Sequence, residues 1–87
     1  MPILWEDDAW EDSQYWLEQD KKTLKKINKL IVDIQRNGYT GIGKPVPLRE
    51  NLSGAWSRRI DDANRVVYYI ENGIPHIISC KGHYDDK

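Results

Sequence analysis

The sequence predicts an α+β domain in which a helical hairpin packs on one face of an antiparallel sheet. Residues 7–37 carry apolar side chains at helical spacing, and residues 55–80 are rich in Val, Ile and Tyr with an Asn-Gly turn between two runs. The 87 residues suffice for a single domain, residues 1–87. The predicted order β-α-α-β-β-β leaves the second face of the sheet for a ligand.

The first half supplies a short strand at residues 2–5 and two helices. The first helix, from residue 7 or 8 to 18, begins with acidic residues, which the helix dipole favours there. Trp10 and Leu17, with Tyr15 or Trp16, are its predicted apolar stripe. Asp20 is the predicted N-cap of the second helix, and Asn37-Gly38 ends it. The inward face of that helix comprises Leu24, Ile27, Leu30, Ile31 and Ile34.

The second half begins with residues 39–54, where Gly and Pro predict a long loop, and such loops are often functional. Three strands follow, at residues 55–60, 65–70 and 74–80. The Asn72-Gly73 pair predicts a hairpin between the last two strands.

Charge is unevenly distributed along a chain whose net charge is −1. Residues 1–20 contain seven acidic residues and no Lys or Arg. Residues 21–60 contain ten basic residues against two acidic ones. A concentrated positive field favours a polyanionic partner, although the same pattern also suits a solvated helix face.

Several classes of protein are excluded by composition. The only cysteine, Cys80, allows no intramolecular disulfide and no cysteine-based zinc site, which suits a reducing cytoplasm. His76 and His83 lack metal-site spacing, and no phosphate-binding glycine loop is present. No segment approaches the ~20 apolar residues of a membrane span, and no signal peptide is evident. We therefore expect a cytoplasmic protein without metal or cofactor.

The remaining candidates form a metal-free acid–base set. RNA brings its own 2′-hydroxyl nucleophile, so cleavage needs a base, an acid and cations for the phosphate charge. Arg65 and His83 fit these roles, and Tyr84 can stack on a base. Other interpretations remain open: Arg65 can pair with Asp61 or Asp62, and a histidine near the C-terminus can be a solvated surface residue. Arg58 and Arg59 alternate along one strand, so at most one of them faces any single site.

Residues 51–60 (NLSGAWSRRI), 64–68 (NRVVY) and 83–84 (HY) carry a resemblance to the YoeB toxins of the RelE/ParE superfamily. Residues 25–28 and 41–45, with Trp5 and Trp10, agree with it, and the resemblance runs over nearly the whole chain, with no evident gap up to Tyr84. It implies a RelE-like fold and a ribosome-dependent mRNA endoribonuclease of a type II toxin–antitoxin module. The implied partners are a YefM-like antitoxin and the 70S ribosome with mRNA in its A site, and a homodimer is a further expectation.

The resemblance also assigns roles to residues. Arg65 stabilises the scissile phosphate, His83 is the general acid and Tyr84 positions substrate. The cations expected to bind RNA phosphates are Arg49, Arg59, Lys44 and Lys81.

One departure from the family puts the chemistry in question. YoeB-like toxins take their general base from a carboxylate between two prolines, and here that position is Val46. Glu50 is a candidate substitute base. The alternative is an attenuated or non-catalytic homologue that mainly binds its antitoxin or a target protein.

Overall fold

The structure, a computed structural model, describes residues 2–82 and contains two helices and a five-stranded sheet. The helices are α1 (Asp7–Gln19) and α2 (Lys21–Asn37). The strands are β1 (Leu4–Trp5), β2 (Val46–Pro47), β3 (Trp56–Arg59), β4 (Arg65–Glu71) and β5 (Ile74–Ser79), in the spatial order β1-β5-β4-β3-β2. The α+β prediction is confirmed, with the helical hairpin on one face of the sheet.

Two details of the sheet differ from the prediction. β1 pairs with β5 in parallel, whereas all the other pairings are antiparallel. The predicted loop at residues 39–54 contains β2 and a 3₁₀ turn at Glu50–Leu52. Both elements are too short to leave a periodic signal in the sequence, because only their pairing with distant residues defines them.

The second helix follows its prediction closely. Ile27, Leu30, Ile31 and Ile34 are buried, and Leu24 packs against the same core. The Asp20 carboxylate accepts a hydrogen bond from the Thr23 N–H at 3.3 Å, and Gly38 ends the helix with φ of +67°. No helix within residues 2–82 is long and apolar enough to cross a membrane.

The predicted apolar stripe of α1 is confirmed at Trp16 and wrong at Trp10 and Leu17. Trp10 and Leu17 are 54% and 44% exposed, and the inward face is formed by Ala9, Ser13 and Trp16. The two small residues let α1 lie close to the sheet, and the Trp16 indole N–H donates to the Cys80 carbonyl at 2.9 Å. The buried face of α1 therefore includes two small side chains, Ala9 and Ser13, which a search for large apolar residues does not find.

An ion pair between Arg58 of β3 and Asp33 of α2 lies inside the helical layer. Arg58 is fully buried, and all five of its N–H donors have acceptors. Nε donates to the Tyr68 hydroxyl at 3.1 Å, and Nη1 donates to Asp33 and to the Ile42 carbonyl. Nη2 donates to the carbonyls of Gly38 and Thr40 at 2.8 and 2.6 Å. The guanidinium therefore holds residues 38–42 against the sheet.

Glycine is required where this loop crosses the ion pair. Gly41 and Gly43 have φ of +120° and +82°. A Cβ on Gly41 would lie 2.0 Å from Asp33 Oδ2, and one on Gly43 would lie 2.8 Å from the Leu30 side chain. Any larger residue at either position would displace the loop or the ion pair.

The sheet face opposite the helices is not left wholly open. Leu48, Ala55 and Val67 form a small buried cluster there, with Leu52 and Ile78 packed against it. The segment that carries β2 and the 3₁₀ turn thus covers part of this face of the sheet. The start of β4 lies next to the covered part.

We expect removal of either partner of the buried ion pair to be costly. Arg58→Met should lower the free energy of unfolding by about 3–5 kcal/mol, because it removes the cation that pairs with Asp33 and the guanidinium donors of three loop carbonyls, of which Gly38 keeps the Tyr68 hydroxyl. Urea denaturation measures the loss. Arg36→Met, at an exposed site of α2, is the matched control, and an equal loss there would contradict the assignment.

The pH dependence of stability tests the same contact. The Arg58 hydrogen bond, with smaller help from the Ile42 N–H and Asn37 amide, lowers the pKa of Asp33. A lowered carboxyl pKa contributes stability that is present above the ordinary value of about 3.9 and is lost as the pH falls through the lowered one. The stability difference between the wild type and Asp33→Asn should therefore be full at pH 7 and shrink below about pH 4. An undiminished difference down to pH 2, by urea denaturation, would contradict this.

Candidate functional site

Arg65 begins β4 on the sheet face opposite the helices, and its side chain is half-buried. Its Nη1 donates a hydrogen bond to the Ser57 hydroxyl of the neighbouring strand at 3.1 Å. The predicted alternative, pairing with Asp61 or Asp62, is wrong. Asp62 pairs with Arg59, and Asp61 accepts the N–H groups of residues 63 and 64. Within residues 2–82 the guanidinium is therefore held by a neutral hydroxyl and forms no ion pair.

The chain leaving β5 is fastened beside Arg65. The Arg65 N–H donates to the Gly82 carbonyl at 2.9 Å, and the Gly82 N–H donates to the Asn64 side-chain oxygen at 2.8 Å. His83 and Tyr84 follow directly in the sequence and lie outside the described residues. Two hydrogen bonds thus fix the last described residue next to the arginine.

A row of paired side chains crosses four strands, β2, β3, β4 and β5, at this level. Val46 pairs directly with Ser57, Ser57 with Val67, and Val67 with Ser79. Directly paired residues point to the same face, so Val46 lies across from the hydroxyl that holds Arg65. The Ser79 hydroxyl is buried and has no hydrogen-bond partner within the described chain. The position implied for the general base is therefore next to the arginine, and its valine side chain cannot accept a proton.

Arg59 lies directly opposite Arg65 in the β3–β4 ladder, with Asp62 as its ion-pair partner. The Gly43 carbonyl accepts the Arg59 N–H at 2.7 Å, which brings the exposed Lys44 to the same edge. Arg58 points into the helical layer instead, as strand alternation predicts. The structure therefore brings three predicted cations, Arg65, Arg59 and Lys44, to one region.

The other predicted site residues are placed differently. Arg49 and Glu50 are exposed at the start of the 3₁₀ turn, and Glu50 has a positive φ of 57°. The Lys81 ammonium lies 4.0 Å from the centre of the Tyr15 ring, so it contacts α1 rather than β4. Nothing within residues 2–82 ties these three side chains to Arg65.

Two reactive residue types lie outside the site. Cys80 is buried under α1, and burial, with a smaller effect of Asp12, raises the pKa of its thiol to about 12. His76 is half-buried and stacks on Tyr69 with ring centres 4.5 Å apart. Within the described part of the chain, no three His, Cys, Asp or Glu side chains are grouped to hold a metal ion.

Sequence reasoning missed two contributors. Ser57 was not singled out, although its position two residues before Arg59 places it on the same face of β3. Asp33 was not paired with Arg58, although it is the lone acid in a strongly basic helix. Both signals exist in the sequence, but the partners are 8 and 25 residues away.

Comparison with known proteins gives close relatives. A family model described as "YoeB-like toxin of bacterial type II toxin-antitoxin system" matches residues 5–84. Toxin YoeB of Escherichia coli K12 is 46% identical over 97% of this chain and 100% of its own length.

Solved structures agree with this match. A YoeB/ParE toxin from Agrobacterium tumefaciens has a TM-score of 0.92 at 37% identity, covering 97% of this chain and 100% of its own. YoeB of Staphylococcus aureus, solved with YefM and as a dimer, has a TM-score of 0.90 at 46% identity, covering 97% and 98%.

The fold is thus that of the RelE-like α+β toxins, with its cations gathered at the edge of one sheet face. Within that class, the chain belongs to the YoeB-like toxin family of bacterial type II toxin–antitoxin systems.

Cys80 should be inert toward thiol reagents in the folded protein. With a thiol pKa of about 12 and complete burial, alkylation by iodoacetamide at pH 8 should be orders of magnitude slower than in urea-unfolded chain. Mass spectrometry of the alkylated protein follows both rates. Comparable rates in the two states would show that the thiol is accessible.

Proposed function

We propose that the chain is a ribosome-dependent mRNA endoribonuclease that arrests translation as the toxin of a type II module. The observation that carries this proposal is the hydrogen bond between the Arg65 N–H and the Gly82 carbonyl. It fastens the chain immediately before His83 and Tyr84 beside a charged guanidinium. Because His83 directly follows Gly82 in the sequence, this hydrogen bond supports assigning the acid and the phosphate-binding cation to one site.

The chemistry uses groups of the chain and of the RNA. The ribose 2′-oxygen attacks the adjacent phosphorus, and the bond from phosphorus to the 5′-oxygen breaks. Arg65 stabilises the charge that develops on the phosphate, and Ser57 keeps its guanidinium oriented. His83 gives a proton to the leaving 5′-oxygen, and Tyr84 positions a base. The product is a 2′,3′-cyclic phosphate that opens to a 3′-phosphate.

The general base is the open step. Val46 lies across from Ser57 and cannot accept the 2′-hydroxyl proton. Glu50 is the nearest acidic residue in sequence, four positions on, and its side chain is exposed. Glu50, His83 in a double role or a group of the ribosome replaces the missing carboxylate.

Partners follow from the relatives. The staphylococcal toxin forms a complex with YefM and a dimer, and its chain matches this one almost end to end. We propose a YefM-like antitoxin and a homodimer for this protein too, with the ribosome presenting A-site mRNA to the Arg65 face.

A second candidate function rests on Val46. An apolar residue beside Ser57 suits a homologue that occupies its target without cutting RNA, or that mainly binds its antitoxin. The two functions differ in whether mRNA is cleaved.

Removal of the acid tests the main proposal. His83→Ala should lower cleavage of ribosome-bound mRNA by ~10²–10⁴-fold, and Arg65→Ala by ~10²–10³-fold. Mapping of mRNA 5′ ends after induction, or on purified ribosomes, measures both. His76→Ala, the other histidine, should cleave normally. Growth arrest with intact mRNA in cells expressing the wild type would refute the nuclease.

Restoring a carboxylate tests the missing base. Val46→Glu should raise the cleavage rate, by up to ~10²–10⁴-fold if no other base operates, because the new carboxylate faces Ser57 beside Arg65. Val46→Gln has the same shape without the basicity and is the matched control. If Glu50 is the substitute base, Glu50→Ala should abolish wild-type cleavage and be harmless in Val46→Glu. An equal gain with Gln would show that shape, not proton transfer, matters.

A further inference from the structure

A basic groove of about 1070 Å³ lies between α2 and the loop that precedes β2, beside the Arg65 site, with which it shares Lys44 and Arg59. Its cations are Lys22, Lys25, Lys26 and Lys29 on the α2 wall, with Lys44 and Arg59 on the other wall. The four helix lysines are spaced i, i+3, i+4 and i+7, so they line one face of α2 over ~10 Å. The groove is therefore a straight cationic track.

The positive charge of the groove is largely uncompensated. Within residues 2–82 the only ion pairs are Arg58–Asp33 and Arg59–Asp62, so none of the five groove lysines forms one there, although Lys22 is close enough to Asp20 to help lower the pKa of that carboxyl. The groove has two carboxylates, Asp61 and Asp62. Asp62 holds Arg59, and Asp61 is occupied by N–H groups of its own turn. The lysines are free to bind an external anion.

We propose that this groove binds the phosphodiester backbone of base-paired RNA. A row of ~10 Å is long enough to contact several consecutive phosphates of a duplex backbone. No aromatic ring lines the groove in the part of the chain that the structure describes, so unpaired bases find no stacking platform. Lysines without aromatics suit a duplex held by its backbone, independently of sequence.

The groove leads to the Arg65 site. Arg59 lines the groove and lies directly opposite Arg65 in the sheet. A structured RNA in the groove would therefore hold the protein while an unpaired strand reaches Arg65. The inference rests on the proposed function to that extent, because RNA is the common ligand of the two sites.

An acidic protein segment fits the groove less well. Segments that fold on binding are anchored by apolar side chains in desolvated pockets. Leu30 and Ile60 at the floor are 2% and 1% exposed, and Ile42, at 51%, is the only exposed apolar side chain of the lining. The accessible surface of the groove is cationic, which favours a phosphate backbone.

The test measures binding of the full chain to a 20-base-pair RNA hairpin with 2′-O-methyl riboses, which cannot be cleaved. Lys25→Gln/Lys29→Gln should weaken binding ~10–100-fold at 0.1 M salt and reduce the salt slope by about 2. Lys22→Gln/Lys44→Gln, on both walls, should do the same. Lys21→Gln/Arg36→Gln removes two charges from the same helix outside the groove and should change affinity less than threefold. Thermal unfolding confirms that every variant is folded.

Equal weakening by groove and control variants would overturn the proposal, because net charge alone would then explain binding. So would unchanged hairpin affinity combined with lost binding of an acidic antitoxin, which would make the groove a protein contact. His76→Ala, which lies outside the groove and the Arg65 site, should bind the hairpin normally. Groove-dependent hairpin binding without mRNA cleavage would refute the proposed nuclease activity and support the proposed RNA-binding groove. Cleavage without groove-dependent hairpin binding would support the nuclease activity and refute the RNA-binding groove.

Discussion

The fold depends on one buried ion pair, Arg58 with Asp33. Burying a guanidinium in a small core lowers the free energy of unfolding unless each of its N–H donors has an acceptor. Here all five N–H donors of Arg58 have acceptors. Three of those acceptors are carbonyls of residues 38–42, so the guanidinium holds this glycine-containing loop in one position against the sheet. The loop in turn positions Lys44 at the edge of the sheet, and β2 follows Lys44 in the chain. The ion pair thus links the helical layer to the face where ligands are expected.

Strand β3 serves both faces because its side chains alternate. Arg58 points into the helical layer, whereas Ser57 and Arg59 point to the opposite face. Disturbing Arg58 would therefore also move the residues that orient Arg65 and pair with Asp62. A chain of 87 residues has little core to spare, and the same four-residue strand supplies structure and chemistry.

The Arg65 face combines positive charge with an apolar residue at the point where proton transfer needs a base. Val46 and Ser57 are paired, and Ser57 holds the arginine. In the proposed reaction, the sheet would supply the charge that stabilises the phosphate through Arg65, whereas this row of side chains would supply no base. Under the proposed function, the position of the base would affect the cleavage rate more than RNA binding, since binding and proton transfer would use different groups.

The sequence by itself determined the fold class, the second helix and the hairpin of the last two strands. The signals for them are apolar periodicity, the Asp20 cap, the Asn37-Gly38 stop and the Asn72-Gly73 turn, and each acts within a few residues. It also determined the family and the candidate residues Arg65, His83 and Tyr84. Only the tertiary structure decided that α1 packs through Ala9 and Ser13, that β2 exists, that Arg58 meets Asp33 and that Ser57 orients Arg65. Each of these depends on partners brought together by packing between elements, and such contacts leave no local pattern in the chain.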